Sequence, residues 1–182
     1  MYIYKTLSNG IRVVAEKIPY LKSVSIGVWV GNGSRYEKKE ENGISHFIEH
    51  MLFKGTYKRS AGELASEIDA VGGQINAFTA PEYTCFYTKT LDAHASVAMD
   101  VLSDMIFNSK LSDEDINLER GVIVEEINMY EDSPEDLVYD LFSEAVWGDT
   151  PMGRTILGTK ESLCGINSDV IRTHNIGIYS AK

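Results

Sequence analysis

The chain has 182 residues, 43% of them hydrophobic, enough for one packed domain and not the composition of a disordered segment. A formal net charge of −10 argues against a nucleic-acid backbone as the main partner. No apolar run reaches the length of a membrane-spanning helix and no secretory pattern opens the chain, so no membrane partner is expected and the cytoplasm is the default location. Cys85 and Cys164 lie far apart without a Cys-x-x-Cys pair and are expected to be reduced, buried thiols.

In chain order, "YIYKTL" and "IRVVAE" flank Ser8-Asn9-Gly10, a pairing suited to a tight hairpin. "SVSIGVWVG" alternates and is rich in β-branched residues, which predicts a third strand. "SRYEKKEEN" reads as a solvated loop, and a helix is expected from Gly43 to Lys54. A second helix begins at Ser60, with Glu63 completing a capping box and Gly72-Gly73 ending it. "QINAFTA" and "YTCFYTKT" are strands separated by Pro81-Glu82. Three amphipathic helices follow, capped by Asp92, Ser112 and Ser133, the last with Pro134 at its first position. A loop rich in Gly, Pro and Thr spans 148–158, and short helices start at Thr159 and Ser168. The pattern βββ-αα-ββ-ααα with short connections predicts a single α+β domain over 1–182, a mostly antiparallel sheet packed against helices.

The stretch "GISHFIEHMLFKGT" holds two of the four histidines and a glutamate in an otherwise apolar run. At 100° per residue, His46, Glu49 and His50 fall within an arc of about 100°, while Ile44, Phe47, Ile48, Met51 and Leu52 cover the rest. Titratable groups on a buried helix need partners. Histidines at i and i+4 can give two ligands to one tetrahedral zinc ion, and a glutamate at i+3 can take a proton from a metal-bound water. This is the HExxH set with its order inverted. The alternative is a pair of core or capping histidines that neighbour a glutamate.

A third ligand is offered by the helix from Ser112 to Tyr130. Its apolar arc comprises Ile116, Leu118, Val122, Ile123, Ile127, Met129 and Tyr130. Glu119 and Glu126, seven residues apart and nearly eclipsed, project from the middle of that arc, whereas Glu125 points to the polar side. Inward carboxylates need a metal, a role behind a ligand, or an Arg or Lys partner. Glu126 is the expected ligand, and Glu119 is placed to hydrogen-bond a ligating histidine and fix its tautomer. His94, His174, Trp29 and Trp147 read as structural or exposed residues.

"NGISHFIEHMLFKGT", "GGQINAFTAPEYTCFY" and "ERGVIVEEINMYEDSPED" together resemble the pitrilysin-type zinc peptidases with the inverted motif, closest to the processing-peptidase branch. The resemblance implies zinc held by His46, His50 and Glu126, Glu49 as general base and Glu119 in support. It implies that Asn76 and Ala77 contact the backbone of a peptide substrate, which pairs with their strand as an added strand. It also implies that this chain is an N-terminal half, whose partner is a second half closing over it or another copy of itself. "VIRTHNIGIYSAK" departs from the family's usual passage into a further strand. The expected function is a zinc metalloendopeptidase domain. The alternative is a catalytically inactive module that binds peptide or a partner half.

Overall fold

A computed structural model describes residues 2–179, with side chains described as far as His174; Ser180 to Lys182 of the expected atypical tail lie outside the described residues. Strands β1 (Tyr2–Thr6) and β2 (Arg12–Glu16) pair antiparallel from Tyr2↔Glu16 to Thr6↔Arg12. The turn between them closes with Gly10 at φ 87°, a left-handed conformation that glycine adopts without steric cost. All ten strand residues are exposed, and this hairpin forms a two-stranded sheet of its own. The sequence placed it with the other strands; hairpin pairing is local, whereas joining the main sheet requires distant edges to meet.

The main sheet has the order β3 (Ser23–Val30), β5 (Thr84–Leu91), β4 (Gln74–Thr79), with both pairings antiparallel. Burial alternates along β3 and β4, as period-two geometry requires. Ile26, Val28, Ile75, Ala77 and Phe86 face the helices. β4 is an edge strand among the described residues, and α1 (Ile44–Leu52) packs beside it.

Helix α1 is the centre of the core. Ile44, Phe47, Ile48 and Leu52 are fully buried and Met51 is almost so. Each contributes about 1.5–3 kcal/mol through removal of apolar area from water. Its first turn has no side-chain cap of its own, because the N-cap is Gly43 at φ 91°. A Cβ there would meet the Leu157 carbonyl oxygen at 2.6 Å, so the close approach admits only glycine. The cap comes instead from Glu37, whose carboxylate accepts from the Gly43 amide at 2.7 Å, the Ser45 amide at 2.8 Å and Asn42 Nδ2 at 3.1 Å. Glu37 is 2% exposed, which corrects the expectation that the whole "SRYEKKEEN" run is solvated. A buried carboxylate at a helix N-terminus satisfies orphan amides and the helix dipole together.

Helix α2 (Ala61–Asp69) starts from the expected capping box: Glu63 accepts from the Ser60 amide and Ser60 Oγ accepts from the Glu63 amide. Before it, Arg59 is 5% exposed and reaches three carboxylates. Its Nε donates to Glu67 at 2.9 Å, Nη1 to Asp104 at 2.8 Å and Nη2 to Asp100 at 2.5 Å. Asp104 also accepts from Thr56 Oγ1 at 2.7 Å. This cluster fastens the segment after α1 to α3 (Ala95–Asn108).

Asp92 does not cap α3 as the sequence suggested. A 3₁₀ turn over Asp92–His94 intervenes, and the helix begins at Ala95 without a side-chain cap bond. α4 (Asp113–Glu131) is capped by Ser112 Oγ, which accepts from the Asp115 amide at 3.2 Å. α5 (Pro134–Trp147) has Pro134 in its first turn, but Ser133 makes no side-chain cap bond. α6 (Lys160–Cys164) and α7 (Ser168–Tyr179) follow. Cys85 is buried as expected and Cys164 is exposed, contrary to expectation. Among the described residues no helix is long and apolar enough to cross a membrane.

Candidate metal centre

Helices α1 and α4 cross where the sequence places its titratable groups. The i, i+4 spacing on α1 brings His46 Nε2 and His50 Nε2 to 3.2 Å of each other. From α4, Glu126 Oε2 approaches His50 Nε2 at 3.5 Å and His46 Nε2 at 3.8 Å. One ligand atom from each of the three lies within 4.8 Å of the others, the spacing of a cluster able to hold a metal ion.

Burial sets the charge state of His46. Burial first, and then the neighbouring His50, pushes His46 down to about 3. A neutral imidazole keeps the lone pair that a metal ligand needs. His50 is oriented from behind: its Nδ1 donates to Glu119 Oε1 at 2.8 Å, which leaves Nε2 facing His46 and Glu126. Glu119, 4% exposed, forms an ion pair with Lys54 through its other oxygen. The Lys partner that the sequence left open for an inward carboxylate therefore exists for Glu119. His46 differs from His50, since its Nδ1 is buried with no partner among the described residues.

Glu49 lies half-buried beside the cluster. Its Oε2 accepts a 2.5 Å hydrogen bond from Thr79 Oγ1, at the end of β4. Burial raises its pKa, opposed by the Thr79 bond and the His50 charge and assisted by Glu126. A carboxylate shifted upward beside the cluster is placed to accept a proton. Asn76 is exposed on β4, and its Oδ1 accepts from the Ala77 amide at 2.9 Å. Ala77 is half-buried against the core.

Thr79, Lys54 and Glu37 were missed in the sequence. Thr79 occupies an inward position of β4, and a hydroxyl there needs a partner. Lys54 stands one helical repeat after His50, a spacing that would have drawn attention. Glu37 carries no local signal, because its donors lie across a turn.

The apolar arc proposed for α4 is only partly core. Ile116, Ile123 and Ile127 are buried, while Leu118, Val122, Met129 and Tyr130 are exposed. They are joined in exposure by Val138, Tyr139, Leu141, Phe142, Val146 and Trp147 of α5.

A three-stranded antiparallel sheet, a buried His-x-x-Glu-His helix and a carboxylate from a second helix stand where the resemblance to the pitrilysin-type peptidases implied them. Comparison with known proteins agrees. Residues 12–160 match the family described as Insulinase (Peptidase family M16), and the chain belongs to it. A Bacillus subtilis protein named as an uncharacterized zinc protease is 51% identical over 96% of this chain and 43% of its own length. An Arabidopsis thaliana protein named as a probable mitochondrial-processing peptidase subunit beta is 42% identical over 97% of this chain and 33% of its own. Among solved structures, a protease from Helicobacter pylori superposes with a TM-score of 0.94 at 25% identity, covering all of this chain and 44% of that one. The chain thus spans less than half the length of these relatives.

Proposed function

We infer that the chain is a zinc metalloendopeptidase domain acting on extended peptides, with His46, His50 and Glu126 as metal ligands and Glu49 as general base. The observation that carries this reading is the convergence of two imidazole nitrogens and one carboxylate oxygen within 4.8 Å, with Glu49 alongside. The donor set fits zinc. Two ligands about 2.0–2.1 Å from one tetrahedral ion lie about 3.3 Å apart; the separations here are 3.2, 3.5 and 3.8 Å. Relatives named as zinc proteases support the same choice.

Zinc, when bound, supplies Lewis acidity, lowering the pKa of water and polarising a carbonyl. The chain's own residues do the rest. His46 stays neutral because it is buried, so its imidazole offers a lone pair. Glu119 holds the His50 ring in the tautomer that presents Nε2. Glu49 takes the proton of the attacking water and returns it to the leaving amine. The open edge of β4 offers a peptide main-chain pairing, with Asn76 and Ala77 as contacts; backbone pairing tolerates many sequences. The exposed apolar residues of α4 and α5 favour a second half of the protein closing over this face. In the full-length protein, cleavage of a quenched-fluorescence peptide should be abolished by a chelator and restored by zinc. Cleavage that survives complete metal removal would sink the reading.

A further inference from the structure

We propose that Thr79 is a positioning residue for Glu49: its hydroxyl anchors one carboxylate oxygen so that the other is left to handle the proton. The proposal rests on Glu49 being the base and goes beyond it, by assigning a residue outside the motif helix to the base's orientation. Thr79 Oγ1 donates to Glu49 Oε2 at 2.5 Å, and among the described residues Glu49 accepts no other side-chain hydrogen bond. A glutamate has three rotatable bonds, and burial alone does not choose among its rotamers. A hydrogen bond to one oxygen does.

The anchor is itself fixed. Threonine is stiff at χ1, so a strand threonine holds its hydroxyl in a defined direction. Thr79 pairs with Thr84 across β4 and β5, and the Ala80 amide donates to the Tyr83 carbonyl at 2.8 Å just beyond. The tip of that hairpin is braced from the other side. The Arg35 amide donates to the Pro81 carbonyl at 2.8 Å. The chain approaches Ala80 so closely at Gly33 that an added Cβ would lie 2.0 Å from its carbonyl oxygen. The hydroxyl therefore stands on a rigid end of the strand that also offers the open edge. A strand that binds peptide on one edge and holds the base at its end keeps substrate and base in register, and small misplacements of a reacting group are costly.

The test compares Thr79→Val, Thr79→Ala, Thr79→Ser and Glu49→Gln in the full-length protein. Zinc content, kcat and KM are measured, together with the ¹³C carboxyl resonance of Glu49 in metal-free protein, assigned by its loss in Glu49→Gln. Thr79→Val should retain zinc and KM while kcat falls roughly 10–100-fold. Thr79→Ala, which asks no room for a second methyl, should behave alike. Thr79→Ser should recover most of the rate. The carboxyl resonance should move in the valine and alanine variants and return in the serine variant. A wild-type kcat without the hydroxyl, an unmoved resonance, or a serine variant as impaired as valine would each overturn the proposal. Should Glu49→Gln hydrolyse peptide at the wild-type rate, the base assignment falls by itself, and the resonance still decides whether Thr79 holds this carboxylate.

Discussion

Around Arg59, three carboxylates surround one guanidinium; around His46 and His50, two imidazoles and the Glu126 carboxylate converge on one another. Each cluster has a buried centre, the Arg59–Asp104 pair in the first and His46 in the second. In the first, the Arg59 guanidinium donates from three nitrogens, and Asp104 accepts from Thr56, Arg59 and Asn108. In the second, His46 Nδ1 has no partner among the described residues, and His50 Nε2 is left an acceptor because its Nδ1 donates to Glu119. Buried polar groups that are fully paired hold a fold together; those left short of partners mark sites where a ligand completes the set.

Changes at the two clusters should therefore read out differently. The largest stability effect is expected at Arg59. Arg59→Leu leaves Asp104 buried without its cation, at a cost of about 3–5 kcal/mol, measurable by urea denaturation of metal-free protein. A loss below 1 kcal/mol would equate this cluster with a surface ion pair. Glu119→Gln acts on the other cluster. It should weaken zinc binding about 10–100-fold in a chelator competition, because His50 Nδ1 exchanges a charged carboxylate acceptor for a weaker neutral amide oxygen. Unchanged affinity would remove Glu119 from the site.

Acid should separate the clusters by pH. His46 has its folded pKa pushed down from 6.5 to about 3, so below pH 6.5 the unfolded chain binds the proton that the folded chain refuses. Metal-free protein should lose stability on that account as pH falls from 6.5 towards 3. Asp104 behaves differently: burial would raise its pKa, but the bonds from Thr56, Arg59 and Asn108 outweigh it and lower the pKa below 3.8. Its contribution is present above pH 3.8 and is lost only below that. Denaturation midpoints at pH 7.5, 5 and 3.5 check this. A His46→Gln variant should flatten the upper window and leave the lower one. An unchanged upper window in that variant would show that another group titrates there.

The same contrast explains what could be read from the sequence. The convergence of these side chains was legible because they obey helical spacing: His46, Glu49 and His50 within two turns, and Glu119 and Glu126 eclipsed at seven. Caps at Ser60 and Ser112 were legible because a cap spans three residues. Arg59 was not, since its acceptors are 8, 41 and 45 residues away. Glu37 was hidden in a charged run whose other members are mostly solvated. The α4 arc misled because apolar side chains occur on surfaces as well as in cores, and only the packing of α1 and α4 decides which are covered. The isolation of the β1–β2 hairpin had no sequence signal either, because hairpin chemistry is the same in a lone ribbon and in a large sheet.

The central claim is that Glu49 does the proton work beside a metal it does not bind. Glu49→Gln in the full-length protein tests it most directly, with zinc content and peptide hydrolysis measured on one preparation. Retained stoichiometric zinc with hydrolysis reduced about 10²–10⁴-fold is the predicted result. Wild-type hydrolysis, or zinc lost along with activity, would contradict it.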